Sequence, residues 1–151
     1  MTELVYWEDV EVGQVQRFGR YEVTAAEIVE YAEQFDPQPF HLDAEAGRQS
    51  IFGGLIASGW HTGAILMRMI CDHAIAGTAT TGAIGFDDLK WLAPVRPGNV
   101  LSVETRVADK VASRRRPELG TVRIESRVLN QHAAAVMTLT SLVLYRRRAP
   151  A

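Results

Sequence analysis

A single cysteine, Cys71, among 151 residues excludes any internal disulfide, and with four histidines there is no Cys/His spacing of the kind that holds zinc. No metal is expected, and a reducing cytoplasm is the expected compartment. Cys71 itself reads as a small buried hydrophobe. Charge of one sign is lacking too: 16 Lys plus Arg against 18 Asp plus Glu leave a net charge of −2. That balance gives no broad attraction to nucleic acid or to an anionic membrane surface. Glu3, Glu8, Asp9 and Glu11 stand where a signal peptide would carry a basic and then an apolar region, so secretion is not indicated. The longest apolar stretch, Leu55 to Gly77, is interrupted by His61, Arg68, Asp72 and His73, which excludes a bilayer span and leaves a buried helix. There is no internal repeat and no low-complexity segment, and the tail from Arg146 to Ala151 reads as frayed.

What is present fits one domain over residues 1–151, long enough to bury roughly 70% of the surface its unfolded chain exposes. Val12 to Gly19 shows short apolar alternation and reads as a first strand or an extended arm. Thr24-Ala25-Ala26-Glu27 is a capping box, and Ile28, Tyr31, Ala32 and Phe35 follow at helical spacing, predicting a helix from Ala25 to Gln34. Pro37 and Pro39 cannot continue it, which places Asp36 and His41 on a rigid loop. Leu42 to Arg48 predicts a further helical turn with Asp43 as cap. Ser58 reads as the N-cap of a long helix from Gly59 to Ile75, apolar on too many faces to lie on a surface. The wrapper is in the second half. Ile84 to Trp91, Val100 to Val111, Thr121 to Leu129 and Ala135 to Tyr145 are strand-like, and the last three, joined by short turns, predict an antiparallel meander. The fold class is α+β: about five antiparallel strands around one central helix.

The residues able to do chemistry cluster early. Asp36 and His41 are five positions apart, with Pro37 and Pro39 between them restricting how the carboxylate and the imidazole can move. Such a pair could polarise a water, although Asp-Pro is also a common turn element. Gly59 would open the long helix, where the first amides have no intrahelical partner and a missing side chain admits an anionic oxygen; close packing against a strand would equally require it. Ser58 reads as a cap rather than a nucleophile. His61 could face a pocket or a subunit contact, with a hydrogen-bonded structural role the plainer reading. Arg114-Arg115-Arg116, Lys90 and Arg96 could meet phosphates, but a charge run at a hairpin tip is ordinarily a solvated turn.

Asp36-Pro37-Gln38-Pro39-Phe40-His41-Leu42-Asp43 resembles the hydratase-2 motif of MaoC-like dehydratases and (R)-specific enoyl-CoA hydratases. Ile56-Ala57-Ser58-Gly59-Trp60 resembles the segment that opens their central helix, and Pro94-Val95-Arg96-Pro97-Gly98 is similar to one of their loops. The resemblance implies a hotdog fold and reversible hydration of a trans-2-enoyl thioester. In it Asp36 and His41 would be the catalytic pair, Gly59 would bind the thioester oxygen through its amide, and Gln38, Phe40, Ser58 and Trp60 would contact substrate. It also implies a homodimer or higher homo-oligomer, an acyl-CoA or acyl-carrier thioester as substrate, and no cofactor beyond the coenzyme A that the substrate carries. The chain departs from the motif at Phe35, where Gly is usual, at Gln38 in place of Asn and at Ser58 in place of His, changes that bear on substrate shape. Two alternatives keep the fold. A hotdog acyl-CoA thioesterase would place an acidic residue on the central helix, where the only carboxylate is Asp72, near the wrong end. A non-catalytic acyl-thioester-binding module would not need Asp36, His41 and Gly59 together.

Overall fold

The computed structural model describes residues 3–149. Strand β1 is Val15–Glu22, a few residues later than its apolar alternation predicts. It bulges between Phe18 and Tyr21, where Gly19 adopts φ +84° and a Cβ would overlap Met69 of the long helix, so the strand can hug that helix only with glycine there. Helix α1, Ala25–Phe35, starts as predicted, with the Thr24 hydroxyl accepting from the Glu27 amide at 3.2 Å. Only half of the predicted box forms, because the Glu27 carboxylate turns instead to the Tyr21 hydroxyl.

The segment predicted as a loop after α1 contains a one-turn helix, α2, Pro39–Leu42. A proline that cannot continue a helix can begin one, since its missing N–H falls where no intrahelical acceptor exists. His41 therefore sits on α2. Helix α3, Ala44–Gln49, is capped by Asp43, whose Oδ1 accepts from the Ala46 amide at 2.8 Å. Helix α4, Gly59–His73, begins where predicted and ends two residues early, the Ala74 and Ile75 amides both turning to the Ile70 carbonyl.

Strands β2 (Thr80–Trp91), β3 (Val100–Ala112), β4 (Leu119–Leu129) and β5 (Ala135–Arg146) complete one antiparallel sheet in the order β1-β3-β4-β5-β2. β3, β4 and β5 form the predicted meander. β2 pairs with β5, so it occupies an edge. The alternation of Leu101, Val103, Thr105 and Val107 is buried throughout, which sets the register of β3 against the interior. Ile65, Leu66 and Met69 of α4 pack there with Ile28, Leu101, Val103, Val128, Val136 and Met137. A second cluster of Val10, Val107, Val122 and Tyr145 lies under Trp7.

Two readings fail. Cys71 is exposed, not core: it lies on the outward side of α4, where an apolar sequence run hides which positions face solvent. The tail is not frayed through Arg148. The Arg147 amide bonds the Glu118 carbonyl at 2.8 Å, and the Arg148 amide bonds Glu8 at 3.1 Å, partners too distant in sequence to anticipate. Pro150 and Ala151 fall outside the described residues. Among those residues no helix is long and apolar enough to cross a membrane.

Candidate active site

Asp36 caps the C-terminus of α1, its amide closing on the Ala32 carbonyl at 3.0 Å, while His41 rides on α2. Their side chains converge: His41 Nε2 lies 3.3 Å from Asp36 Oδ2. His41 is 5% exposed, and its Nδ1 lies 2.7 Å from the Ile56 carbonyl oxygen. A carbonyl can only accept, so Nδ1 carries a hydrogen, and in the neutral ring Nε2 is left with its lone pair facing the carboxylate.

Asp36 has a second pair of partners. The Ser58 hydroxyl donates to Oδ2 at 2.7 Å, and the Gln38 side-chain amide donates to Oδ1 at 2.6 Å. Partial burial pushes the Asp36 carboxyl up, but the bonds from Ser58 and Gln38, together with His41 beside it, outweigh burial and hold it below the usual carboxylate value. Asp36 is thus an anion over the whole neutral range.

Gly59 is the first residue of α4, so its amide belongs to the positive end of that helix, and the residue lines the same space. A Cβ at Gly59 would overlap the indole of Trp91, whose Nε1 donates to the Gly59 carbonyl at 2.9 Å. Close packing against a strand is therefore one reason for glycine here. A cavity of about 400 Å³ joins Asp36, His41 and Gly59 and has apolar walls that include Phe40, Phe52, Trp60 and Trp91. Phe40 meets the His41 ring edge-on at 4.5 Å and Phe52 at 5.4 Å, while Trp60 meets Trp91 edge-on at 5.1 Å. A site with one anion, one base, one helix-end donor group and apolar walls suits acid–base work on a flat, conjugated group.

Residues 9–129 match the MaoC like domain. The chain belongs to the MaoC-like domain family. It is 44% identical to the MaoC-like dehydratase of Rhodospirillum rubrum, whose crystal structure superposes with a TM-score of 0.88 over 97% of this chain and 99% of that one. It is 32% identical over 120 residues to a 3-hydroxybutyryl-CoA dehydratase of Methylorubrum extorquens, covering 77% of this chain and 72% of that protein. An R-hydratase of Pseudomonas aeruginosa superposes with a TM-score of 0.76 at 25% identity, covering 96% of this chain and 88% of that one. The sheet wrapped on α4 is the hotdog fold of these MaoC-like neighbours.

Of the residues singled out in this MaoC-like sequence, Asp36, Gln38, Phe40, His41, Gly59 and Trp60 line one cavity. Ser58 occupies the N-cap position of α4 as predicted but makes no side-chain capping bond; it is fully buried and faces Asp36 rather than the cavity. Arg114 to Arg116 lie in the connection between β3 and β4 and are not among the residues that line the cavity. Arg96 donates to the Phe52 carbonyl at the cavity rim, and Lys90 is exposed on β2. Sequence reasoning missed the Ile56 carbonyl, Phe52 and Trp91. A backbone carbonyl has no sequence signature, and an aromatic in a strand gives no sign of which glycine it will cover.

Proposed function

We propose that this MaoC-like protein is a hydro-lyase that reversibly hydrates a trans-2-enoyl thioester to a 3-hydroxyacyl thioester. The observation that carries this reading is the 3.3 Å approach of His41 Nε2 to Asp36 Oδ2, with the Ile56 carbonyl fixing the His41 tautomer. A water bound between the two donates one hydrogen to the Asp36 carboxylate and one to the His41 lone pair. Its oxygen adds to C3 as His41 takes the proton, and the C2–C3 π pair moves onto the thioester. The Gly59 N–H receives the enolate oxygen that develops, an interaction of roughly 3–4 kcal/mol in comparable oxyanion sites. The proton then passes from the same pair to C2, so one O–H bond breaks while one C–O and one C–H bond form. Asp36 stays ionised, aligning the water and balancing the imidazolium.

The acidity comes from the thioester, so the reaction needs no cofactor; coenzyme A or an acyl carrier enters as part of the substrate. We place the protein in the cytoplasm, in keeping with its lone cysteine. We further propose a homodimer through the β2 edge. Ile84, Phe86, Trp91 and Leu92 are 63%, 58%, 45% and 54% exposed there, and an unpaired apolar edge of this kind calls for a partner. A light-scattering mass of one chain would refute the dimer.

The activity is tested with trans-2-enoyl-CoA thioesters, following loss of the conjugated absorbance beside release of free thiol. Hydration without thiol release is expected, with kcat lowered ~10³-fold in Asp36→Asn and His41→Ala. Thiol release would mark a thioesterase instead, and binding without turnover a non-catalytic module.

A further inference from the structure

One buried titratable cluster takes no part in that chemistry. His61, two residues beyond Gly59 on α4, is 3% exposed. Its Nε2 lies 3.4 Å from Glu27 Oε1 on α1, and the same carboxylate oxygen accepts from the Tyr21 hydroxyl of β1. The imidazole also stacks on Tyr31 of α1, with centroids 4.6 Å apart and planes 8° from parallel. One ring on the first turn of α4 therefore grips α1 at two residues, Glu27 and Tyr31, which lie four positions apart on one face of that helix. Asp36 stands at the far end of α1 and Gly59 at the start of α4.

We infer that His61 is a positioning residue: held as its Nε2–H tautomer between Glu27 and Tyr31, it sets how α1 lies on α4 and so the placement of the Asp36 carboxylate relative to the Gly59 amide. The inference deepens the hydratase reading and rests on it for its kinetic consequences. The tautomer follows from the surroundings. His61 Nδ1 is buried without a hydrogen-bond partner, so a hydrogen there would be a stranded donor, whereas a hydrogen on Nε2 meets Glu27.

The same geometry makes the contact acid-sensitive. Protonation adds a hydrogen to that unpartnered nitrogen and a charge to a buried ring. The groups sharing its cavity are Glu27, Glu30 and Tyr31 from α1, Tyr21 from β1 and Arg68 from α4. Burial pushes the His61 pKa down, and Glu27 only partly restores it. Because the folded value lies below the ordinary ~6.5, the contact is fully formed at pH 7. The stability that the neutral ring contributes is lost as pH falls from the ordinary value through the lowered one, because the added charge is buried and the added hydrogen finds no partner at Nδ1.

The test uses His61→Phe, which keeps a stacking ring without the donor, and His61→Gln, which keeps a donor that cannot titrate. With an enoyl-CoA substrate, His61→Phe is expected to lower kcat ~10-fold with KM within about twofold. His61→Gln should recover most of kcat and lose the His61 contribution to the acid fall-off. The Gly59 amide and Asp36 carboxyl resonances, followed by NMR against pH, should move in the Phe variant and return in the Gln variant. A folded His61→Phe protein with wild-type kcat, pH profile and Gly59 resonance overturns the inference, as does a change confined to KM. If His61→Phe does not fold, a His61→Gln acid limb identical to wild type overturns it. If the wild type hydrates no enoyl thioester, the hydratase reading fails, and the NMR comparison alone decides the positioning role.

Discussion

The two ends of the sheet use the same device to opposite ends. At the end that carries the candidate active site Trp91 lies flush on Gly59, and at the other end Trp7 lies flush on Gly120; at both glycines a Cβ would overlap the indole. Around Trp7 nearly everything is tied. Its Nε1 donates to the Thr121 carbonyl at 3.3 Å, Lys110 Nζ stands 4.6 Å from the ring centroid and bonds the Trp7 and Glu8 carbonyls, and Arg147 reaches Glu8. Around Trp91 the groups are left free for use. Its Nε1 holds the Gly59 carbonyl, but Trp91 is 45% exposed, and Gly59 and His41 line a cavity. Saturated polar contacts hold one end shut, and the other keeps a cavity beside its polar groups.

Adding one methyl group at each end breaks the comparison most directly. Gly59→Ala must displace the Trp91 ring, which can swing toward solvent because it is already half out. The expected result is a fall in kcat of ~10²-fold from the disturbed first amide, with a small change in Tm. Gly120→Ala meets a ring that cannot swing, pinned by Thr121, Lys110 and Arg147. Overpacking there should cost ~1–3 kcal/mol of stability by chemical denaturation and leave kcat unchanged. If Gly59→Ala lost stability and kept its rate, the assignment of the two ends would be reversed.

The same contrast explains what could be read from the chain. The buried alternation of β3 and the start of α4 were legible because each repeats a local pattern that burial enforces. The Asp36 and His41 pairing was legible as spacing braced by Pro37 and Pro39, yet its orientation was not, since the Ile56 carbonyl that turns His41 belongs to a residue chosen for its apolar side chain. Ser58 and Glu27 make no side-chain capping bond for one shared reason. Each stood where a local cap would want it, and each spends its side chain on a distant partner, Asp36 for one and Tyr21 with His61 for the other. The latch at Arg147 and Arg148 was invisible because its acidic partners lie almost a full chain length away.

Ser58 offers the finest cut between a group that shapes the site and one that merely closes a helix. Were it only a cap, Ser58→Ala would cost some stability and leave the pH profile alone, but no side-chain bond from Ser58 to α4 exists to be lost. Because its hydroxyl instead helps hold the Asp36 carboxyl below the usual value, removing it should let that value rise. An Asp with a lowered folded pKa contributes stability that is present above its ordinary value and is lost as pH falls through the folded one. The acid limb of kcat should begin at higher pH in Ser58→Ala, while the stability lost in acid on account of Asp36 should shrink, because the gap between its folded and ordinary values narrows. At pH 7 Asp36 stays ionised, so the fall in kcat there, ~10-fold at most, reflects orientation rather than charge. Gln38→Ala removes the other donor, but from an exposed side chain that water can replace, and should move the limb less. Equal shifts in the two variants would mean that burial of the Ser58 bond adds nothing, and an unmoved limb in Ser58→Ala would remove Ser58 from the site.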